Sequence, residues 1–457
     1  MIENGKPVLV IGGGIAGITA AIEAAEAGCS VILLEKSASL GGRVARSHQY
    51  FPKLCPPGCG LEINYRRIKN NPGITVLTLA ELEQLSGNPG DFEATVRISP
   101  RYVMDSCTLC DACARACPAE REDDFNYGLS KTKAAFLPHS MAFPALYAID
   151  RAACKEGCKA CAEVCAYGAI DLGQQLERRK FKVAAVVAAT GWDPYDASRI
   201  DNLGFSKHAN VVTNTILERL AASDGPTGGK ILRPSDGAVP QSIAFVQCAG
   251  SRDENHLPYC SSVCCAASLK QATYIRALYP EASISIYYID IRTPGRLEDF
   301  LARIKADERI ELIKGKVGKV EADPRTGDLL VTAEEVLHSR RSTRRYSLLV
   351  LATGIVPQTN GLPPEFTLDE FGFIRNNPQN LTFIANAIDW LAQDEALMGI
   401  RSKNREPPDL RFASNFGRNM LKWGNLVGIP LVFVLFGLVR VTGRRRRAEA
   451  RWREVVS

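Results

Sequence analysis

Histidine is scarce in this sequence: five in 457 residues, no two of them close together. That leaves no paired imidazoles for a bis-histidine haem and no recognisable quinone site, so partners that carry those groups are expected. The opening MIENGKPVLVIGGG has no basic stretch ahead of an apolar run, and a secretory leader is not expected. An excess of one charge is missing from most of the chain. Residues 401–457 hold thirteen Lys/Arg against four Asp/Glu, while the remainder holds 43 against 46. The formal charge of +6 thus belongs to the tail, and a nucleic-acid partner is not expected. Long apolar runs are also missing until residues 423–439. Cysteine is abundant, with fifteen residues in clusters. Without a leader these read as metal ligands rather than disulfides.

The first clear unit is KPVLVIGGGIAGITAAIEAAEAGCSVILLEK. It combines an apolar strand, a glycine turn, an alanine-rich helix, a second strand and an acid. Gly12, Gly14 and Gly17 occupy the G-x-G-x-x-G positions, and Glu35 closes the second strand. Such glycines permit a tight turn and let a pyrophosphate approach the start of the helix, where Ile15 and Ala16 lie. The carboxylate can take ribose hydroxyls. Lys36 follows directly, and the LGGR segment supplies Gly41, Gly42 and Arg43. Two later strands end in ATG, giving Ala189, Thr190 and Gly191, then Thr353 and Gly354.

The run CTLCDACARACP spaces Cys107, Cys110, Cys113 and Cys117 as C-x2-C-x2-C-x3-C-P, the bacterial ferredoxin pattern. A second run, Cys154, Cys158, Cys161 and Cys165, has one extra residue in its first gap and Ala166 in place of proline. In two-cluster ferredoxins the last cysteine of each run crosses to the other cluster. One [4Fe–4S] cluster is therefore assigned to Cys107, Cys110, Cys113 and Cys165, the other to Cys154, Cys158, Cys161 and Cys117. Zinc suits three closely spaced thiolates and a remote fourth less well.

Alternating strands and helices resume after residue 216, in the order of a second nucleotide-binding domain. After SIAFVQ, however, the turn reads CAGSR, with Gly250 alone, and NAD(P)H is not expected to bind. The same turn carries Cys248, Cys260, Cys264 and Cys265. With Ser261 or Ser262 as N-cap, Cys264 and Cys265 fall in the first helical turn. A third [4Fe–4S] cluster, a redox pair and buried thiols all remain open for them.

The LGGR segment and the two ATG strands resemble those of two-dinucleotide-domain flavoproteins, which implies FAD. The whole set of motifs resembles the A-type component of heterodisulfide reductases. Strings such as GGRVARSHQYFPKLCPPGCGLEINYRRI and QCAGSRDENHLPYCS are similar to one branch, the A-type component of the quinone-interacting membrane-bound oxidoreductase. The resemblance covers about residues 5 to 373. It implies an α/β, thioredoxin-reductase-like fold with an inserted 2[4Fe–4S] ferredoxin module and favours the third cluster. It also implies three partners: a B-type flavoprotein subunit, one membrane cytochrome b/iron–sulfur subunit, plus adenylylsulfate (APS) reductase. The alternative is a heterodisulfide-reductase component of the same type in a soluble flavin-bifurcating complex. Cys55 and Cys59, in LCPPGC, are candidates for a redox pair, extra ligands or structural thiols.

The expected order is an FAD-binding domain at 1–99, resumed at 173–215 and 346–374. The module occupies 100–172, and a degenerate NAD-type domain carrying the third cysteine group occupies 216–345. Residues 375–457 form an atypical tail resembling the end of gliding-motility-type ABC transporter accessory proteins, with the join near 372–378. Its membrane segment is expected at 421–443, followed by RRRR, and the protein is expected at the cytoplasmic face of the membrane. A membrane-anchored transporter protein with an inactive flavoprotein body is a third reading, disfavoured by the intact eight-cysteine pattern.

Overall fold

The computed structural model describes residues 5–374 apart from 361 and 365, together with 440, 442 and 443. Its first compact unit is Met1–Leu381.

The N-terminal apolar segment forms strand Val8–Ile11, buried along its whole length. It pairs in parallel with Val31–Glu35 and with Ala185–Ala188, and Ile74–Thr78 extends the sheet beyond Val31–Glu35. Strands covered on both faces read as continuous apolar runs, as VLVI and VILLE do. One face packs on helices Ile15–Glu26 and Gly58–Asn70 through Ile18, Ile22, Leu61, Tyr65 and Ile68. The other packs through Leu9, Ile32 and Leu34 on a three-stranded antiparallel sheet.

That second sheet explains how a module can interrupt the domain. Strand Asp91–Ile98 pairs with Glu177–Val183, and Ile98 lies opposite Glu177. The chain therefore leaves and returns at adjacent points of one ribbon. Between them lie short helices Ala112–Ala116 and Ala160–Glu163 and two small hairpins. Cys113, Cys117 and Cys161 are buried in the module's own core.

The other large sheet has seven strands. Val211–Thr213, Leu348–Thr353, Ser242–Ala249, Ser283–Tyr288 and Ile310–Ala322 run parallel in that order, and Leu329–Glu335 and Arg340–Tyr346 add an antiparallel edge. The domain boundaries expected from sequence shift accordingly. Val211–Thr213 already belongs to this sheet, so the second domain starts before 216. Leu348–Thr353 is a buried inner strand of it, next to the edge, rather than the return to the flavin domain. The return is made by Ile355–Pro357, which pairs antiparallel with Trp192–Pro194. Pairing over such separations is invisible to local periodicity.

Among the described residues no helix is long and apolar enough to cross a membrane. The expected span 421–443 lies outside them, apart from residues 440, 442 and 443.

Candidate functional site

The glycine turn does three separate things. Gly12 has φ +105°, and a side chain there would strike the Ala189 carbonyl. At Gly17 a Cβ would collide with the Gly12 carbonyl, so this position lets helix and strand pack. Around Gly14, φ −74°, a Cβ meets nothing within 4 Å, because the residue faces a pocket of about 470 Å³. Gly14 also caps helix Ile15–Glu26 without a side-chain acceptor, leaving the first-turn amides for an anion.

These roles separate experimentally. Gly14→Ala has room and an ordinary φ, so its stability should stay within about 0.5 kcal/mol of the parent. The added methyl would occupy the space a pyrophosphate needs, and purified protein should lose its flavin absorbance. A yellow Gly14→Ala protein would remove this pocket from consideration.

Of the expected cofactor residues, Gly12, Gly14, Glu35, Lys36, Gly42, Arg43, Ala189, Thr190 and Gly191 line the pocket. Ile15 and Ala16 open the helix beside it, exposed. Gly41, at φ +113°, sits behind it, its amide bound to the Gly13 carbonyl at 2.8 Å. The Glu35 carboxylate is 7% exposed and accepts the amides of Gly13 and Ser37, each at 2.7 Å. Arg43 is held by the Trp192 carbonyl, the Tyr127 hydroxyl and the Asp193 carboxylate. It ties wall to wall and is not an open phosphate clamp.

The remaining wall escaped the sequence reading. Arg121, Asp123, Asp124, Phe125, Phe136 and His139 of the inserted module line the same pocket. His139 hydrogen-bonds Ser39 at 3.1 Å and stacks on Phe125 at 4.9 Å, and burial lowers its pKa. No motif marks these residues, because they arrive by the fold of the insertion.

Thr353 and Gly354 are not at this pocket. The Thr353 carbonyl accepts the Cys264 thiol at 3.3 Å. A Cβ on Gly354 would collide with the Ser251 hydroxyl and come within 3.2 Å of that of Ser261. Both residues belong instead to the surroundings of the third cysteine group.

The twelve cysteines gather as three groups. Cys107, Cys110, Cys113 and Cys165 line one small cavity, to which both sequence runs contribute. Cys154 interacts with Cys117 and Cys158, and Cys161 with Cys154 and Cys117. Cys264 interacts with Cys248, Cys265 and Cys260. Among the described residues no three His, Cys, Asp or Glu side chains are placed to hold a single metal ion. A cubane differs in that each of its irons takes its own thiolate. Burial pushes the Cys113 thiol up to about 11 and the Cys264 thiol up to about 12. As ligands they would have to ionise against that burial, with the positive charge of iron as compensation.

Left-handed non-glycine residues occur in both loop types: Leu109 and Asp111 in the first run, Cys248, Arg252 and Ser262 in the third. Such backbone turns amide groups inward and forms concavities suited to anionic clusters. Cys264 and Cys265 do open helix Cys264–Leu278, but neither Ser261 nor Ser262 caps it. Val263 is the N-cap and Ser262 is left-handed, while the Ser261 hydroxyl accepts the Ile355 amide at 2.9 Å.

A buried polar cluster that sequence patterning missed braces these parts. Glu218 accepts from Lys270 at 3.0 Å, from Gln271 at 2.7 Å and from the His48 amide at 2.9 Å. Lys270 also donates to the Gln49 carbonyl at 2.6 Å. Arg219, 1% exposed, donates to Asn126 at 2.8 Å and to Asp224 at 3.0 Å, and lies 4.6 Å over Phe125. Flavin-domain loop, module and second domain are thereby joined.

The profile of the FAD dependent oxidoreductase family matches residues 7–60. The chain is 41% identical over 353 residues to an iron–sulfur component, type A form 2, of the CoB–CoM heterodisulfide reductase of Methanopyrus kandleri, covering 77% of this chain and 54% of the relative. It is 40% identical over 356 residues to the A-type component of the ferredoxin/F420H2-dependent CoB–CoM heterodisulfide reductase of Methanosarcina acetivorans, covering 77% and 44%. With the corresponding iron–sulfur component of Methanocaldococcus jannaschii the identity is 35% over 421 residues, covering 90% and 63%. The chain thus spans about half the length of the relatives it matches. The last match leaves a tenth of the chain uncovered, less than the part after 373, so similarity continues past the expected join. Thioredoxin reductase of Lactococcus lactis aligns with a TM-score of 0.44 at 12% identity, covering 81% of this chain and 85% of that one. Over most of its length the chain is homologous to the A-type components of heterodisulfide reductases, and its first 60 residues carry the match to FAD dependent oxidoreductases.

Proposed function

We propose that this chain is the FAD- and iron–sulfur-bearing electron-relay component of a heterodisulfide-reductase-type complex, working without NAD(P)H. The observation that carries this reading is the shared wall: residues 121–139 of the cysteine module close the pocket that the glycine turn opens. Bound there, FAD exchanges electrons in pairs and [4Fe–4S] clusters exchange them singly. The first-turn amides at Gly14 would take the pyrophosphate and Glu35 the ribose. Phe125, Phe136 and Trp192 would keep water from the pocket. Cys107, Cys110, Cys113 and Cys165 would hold one cluster, Cys154, Cys158, Cys161 and Cys117 a second, and Cys248, Cys260, Cys264 and Cys265 a third. Electron relay asks for no general acid or base, and none is assigned.

The test is stoichiometry: anaerobically reconstituted protein should hold about one FAD and about twelve irons per chain. Colourless, iron-free protein after reconstitution would end the proposal. A second reading rests on the sequence strings that resemble the quinone-interacting branch. It places the chain at the cytoplasmic face of the membrane, between a cytochrome b partner and APS reductase. Affinity purification separates the two, since the B-type and C-type components of a soluble reductase would be recovered in one case and cytochrome b with APS reductase in the other.

A further inference from the structure

Six buried side-chain polar atoms have no hydrogen-bond partner among the described residues. Two are arginine nitrogens held in ion pairs, Arg121 with Asp150 and Arg233 with Asp236. Two are the amide oxygens of Gln247 and Gln271, which can only accept. The last two are the hydroxyls of Ser251 and Ser268, 4% and 0% exposed. A buried hydroxyl without a partner costs stability, so a pair of them calls for an acceptor.

Both serines stand against the third cysteine group. Ser251 closes the tight turn after Cys248, its amide donating to the Cys248 carbonyl at 3.1 Å. Its hydroxyl sits where a Cβ on Gly354 would go, next to Thr353, whose carbonyl accepts the Cys264 thiol at 3.3 Å. Ser268 lies one turn along helix Cys264–Leu278, four residues after Cys264 and three after Cys265. Side chains at those spacings share a helix face and lean toward the preceding turn. A serine inside a helix ordinarily gives its hydrogen to the carbonyl four residues back, and Ser268 does not. No orphaned hydroxyl stands beside either cysteine group of the inserted module among the described residues.

We propose that the hydroxyls of Ser251 and Ser268 donate hydrogen bonds to the sulfur of the third cluster and raise its reduction potential. The inference rests on the assignment of that cluster to Cys248, Cys260, Cys264 and Cys265. Sulfide and thiolate sulfurs are acceptors, and they are what these two hydroxyls lack in the chain itself. Reduction adds negative charge to a cluster, so donors aimed at its sulfurs favour the reduced form. The two serines thus act on the third cluster alone and set it above the potential its thiolates would give it.

The test is a redox titration of the reconstituted full chain, followed by electron paramagnetic resonance, on the parent, Ser251→Ala and Ser268→Ala. The third cluster's signal is the one that Cys264→Ala removes. In each serine variant its reduction equilibrium should move about tenfold toward the oxidised form, a midpoint lower by about 59 mV for one electron. The other two clusters should keep their midpoints, and iron should stay at about twelve per chain. Electron–nuclear double resonance of the reduced third cluster should show proton couplings that exchange in deuterated water and weaken in both variants. A full iron complement with unmoved midpoints would overturn the proposal and leave the third cluster in place. Loss of about four irons from either variant would make that serine part of the cluster's scaffold and overturn it as well. A parent with only about eight irons would withdraw the third cluster, and this proposal with it.

Discussion

Cys264→Ala protein, reconstituted anaerobically, should carry about four irons fewer than the parent, one cubane's worth, with flavin content unchanged. The residue is 7% exposed and stands at the start of helix Cys264–Leu278, with Cys248, Cys260 and Cys265 around it. Three thiolates and a buried methyl cannot complete a four-thiolate shell. The flavin pocket contains none of these residues, so its occupancy gives an internal control. The deficit should appear as the loss of one cluster's signal in a redox titration followed by electron paramagnetic resonance. Unchanged iron would mean that these four thiols are not ligands.

The second large effect is on stability. Glu218→Ala should destabilise the protein by about 3–5 kcal/mol, because it leaves Lys270 charged and buried without its partner. Glu218 and Lys270 are 8% and 6% exposed, so solvent cannot compensate. Lys270→Met should cost a comparable amount by orphaning the carboxylate. The double variant Glu218→Ala, Lys270→Met should cost less than the sum of the two, since neither charge is then stranded. Denaturant midpoints measured on all four proteins decide the matter. Additive losses would show that the ion pair is not what joins helix Cys264–Leu278 to the loop at His48 and Gln49.

These effects separate what local sequence reveals from what it hides. The glycine turn, Glu35 and the ferredoxin runs were legible because their geometry is set by neighbours a few residues away. The meeting of Cys165 with Cys107, Cys110 and Cys113 at one cavity is what the order of a ferredoxin pattern leads one to expect. Glu218, Arg219 and Lys270 were not, because a charge on an amphipathic helix reads as solvated until another domain covers it. Leu348–Thr353 was misplaced for a related reason. Its ATG ending matches the one at 189–191, yet its pairing partners are Val211–Thr213 and Ser242–Ala249.

The shared wall of the flavin pocket also bears on assembly. Residues 121–139 lie between the two cysteine runs, so whatever orders those runs also orders the wall. If iron–sulfur insertion rigidifies the module, it raises flavin affinity, and by reciprocity bound flavin favours the cluster-bearing form by the same factor. Either cofactor, once bound, would then make the other easier to load. A chain without its clusters would hold flavin more weakly, by that same factor.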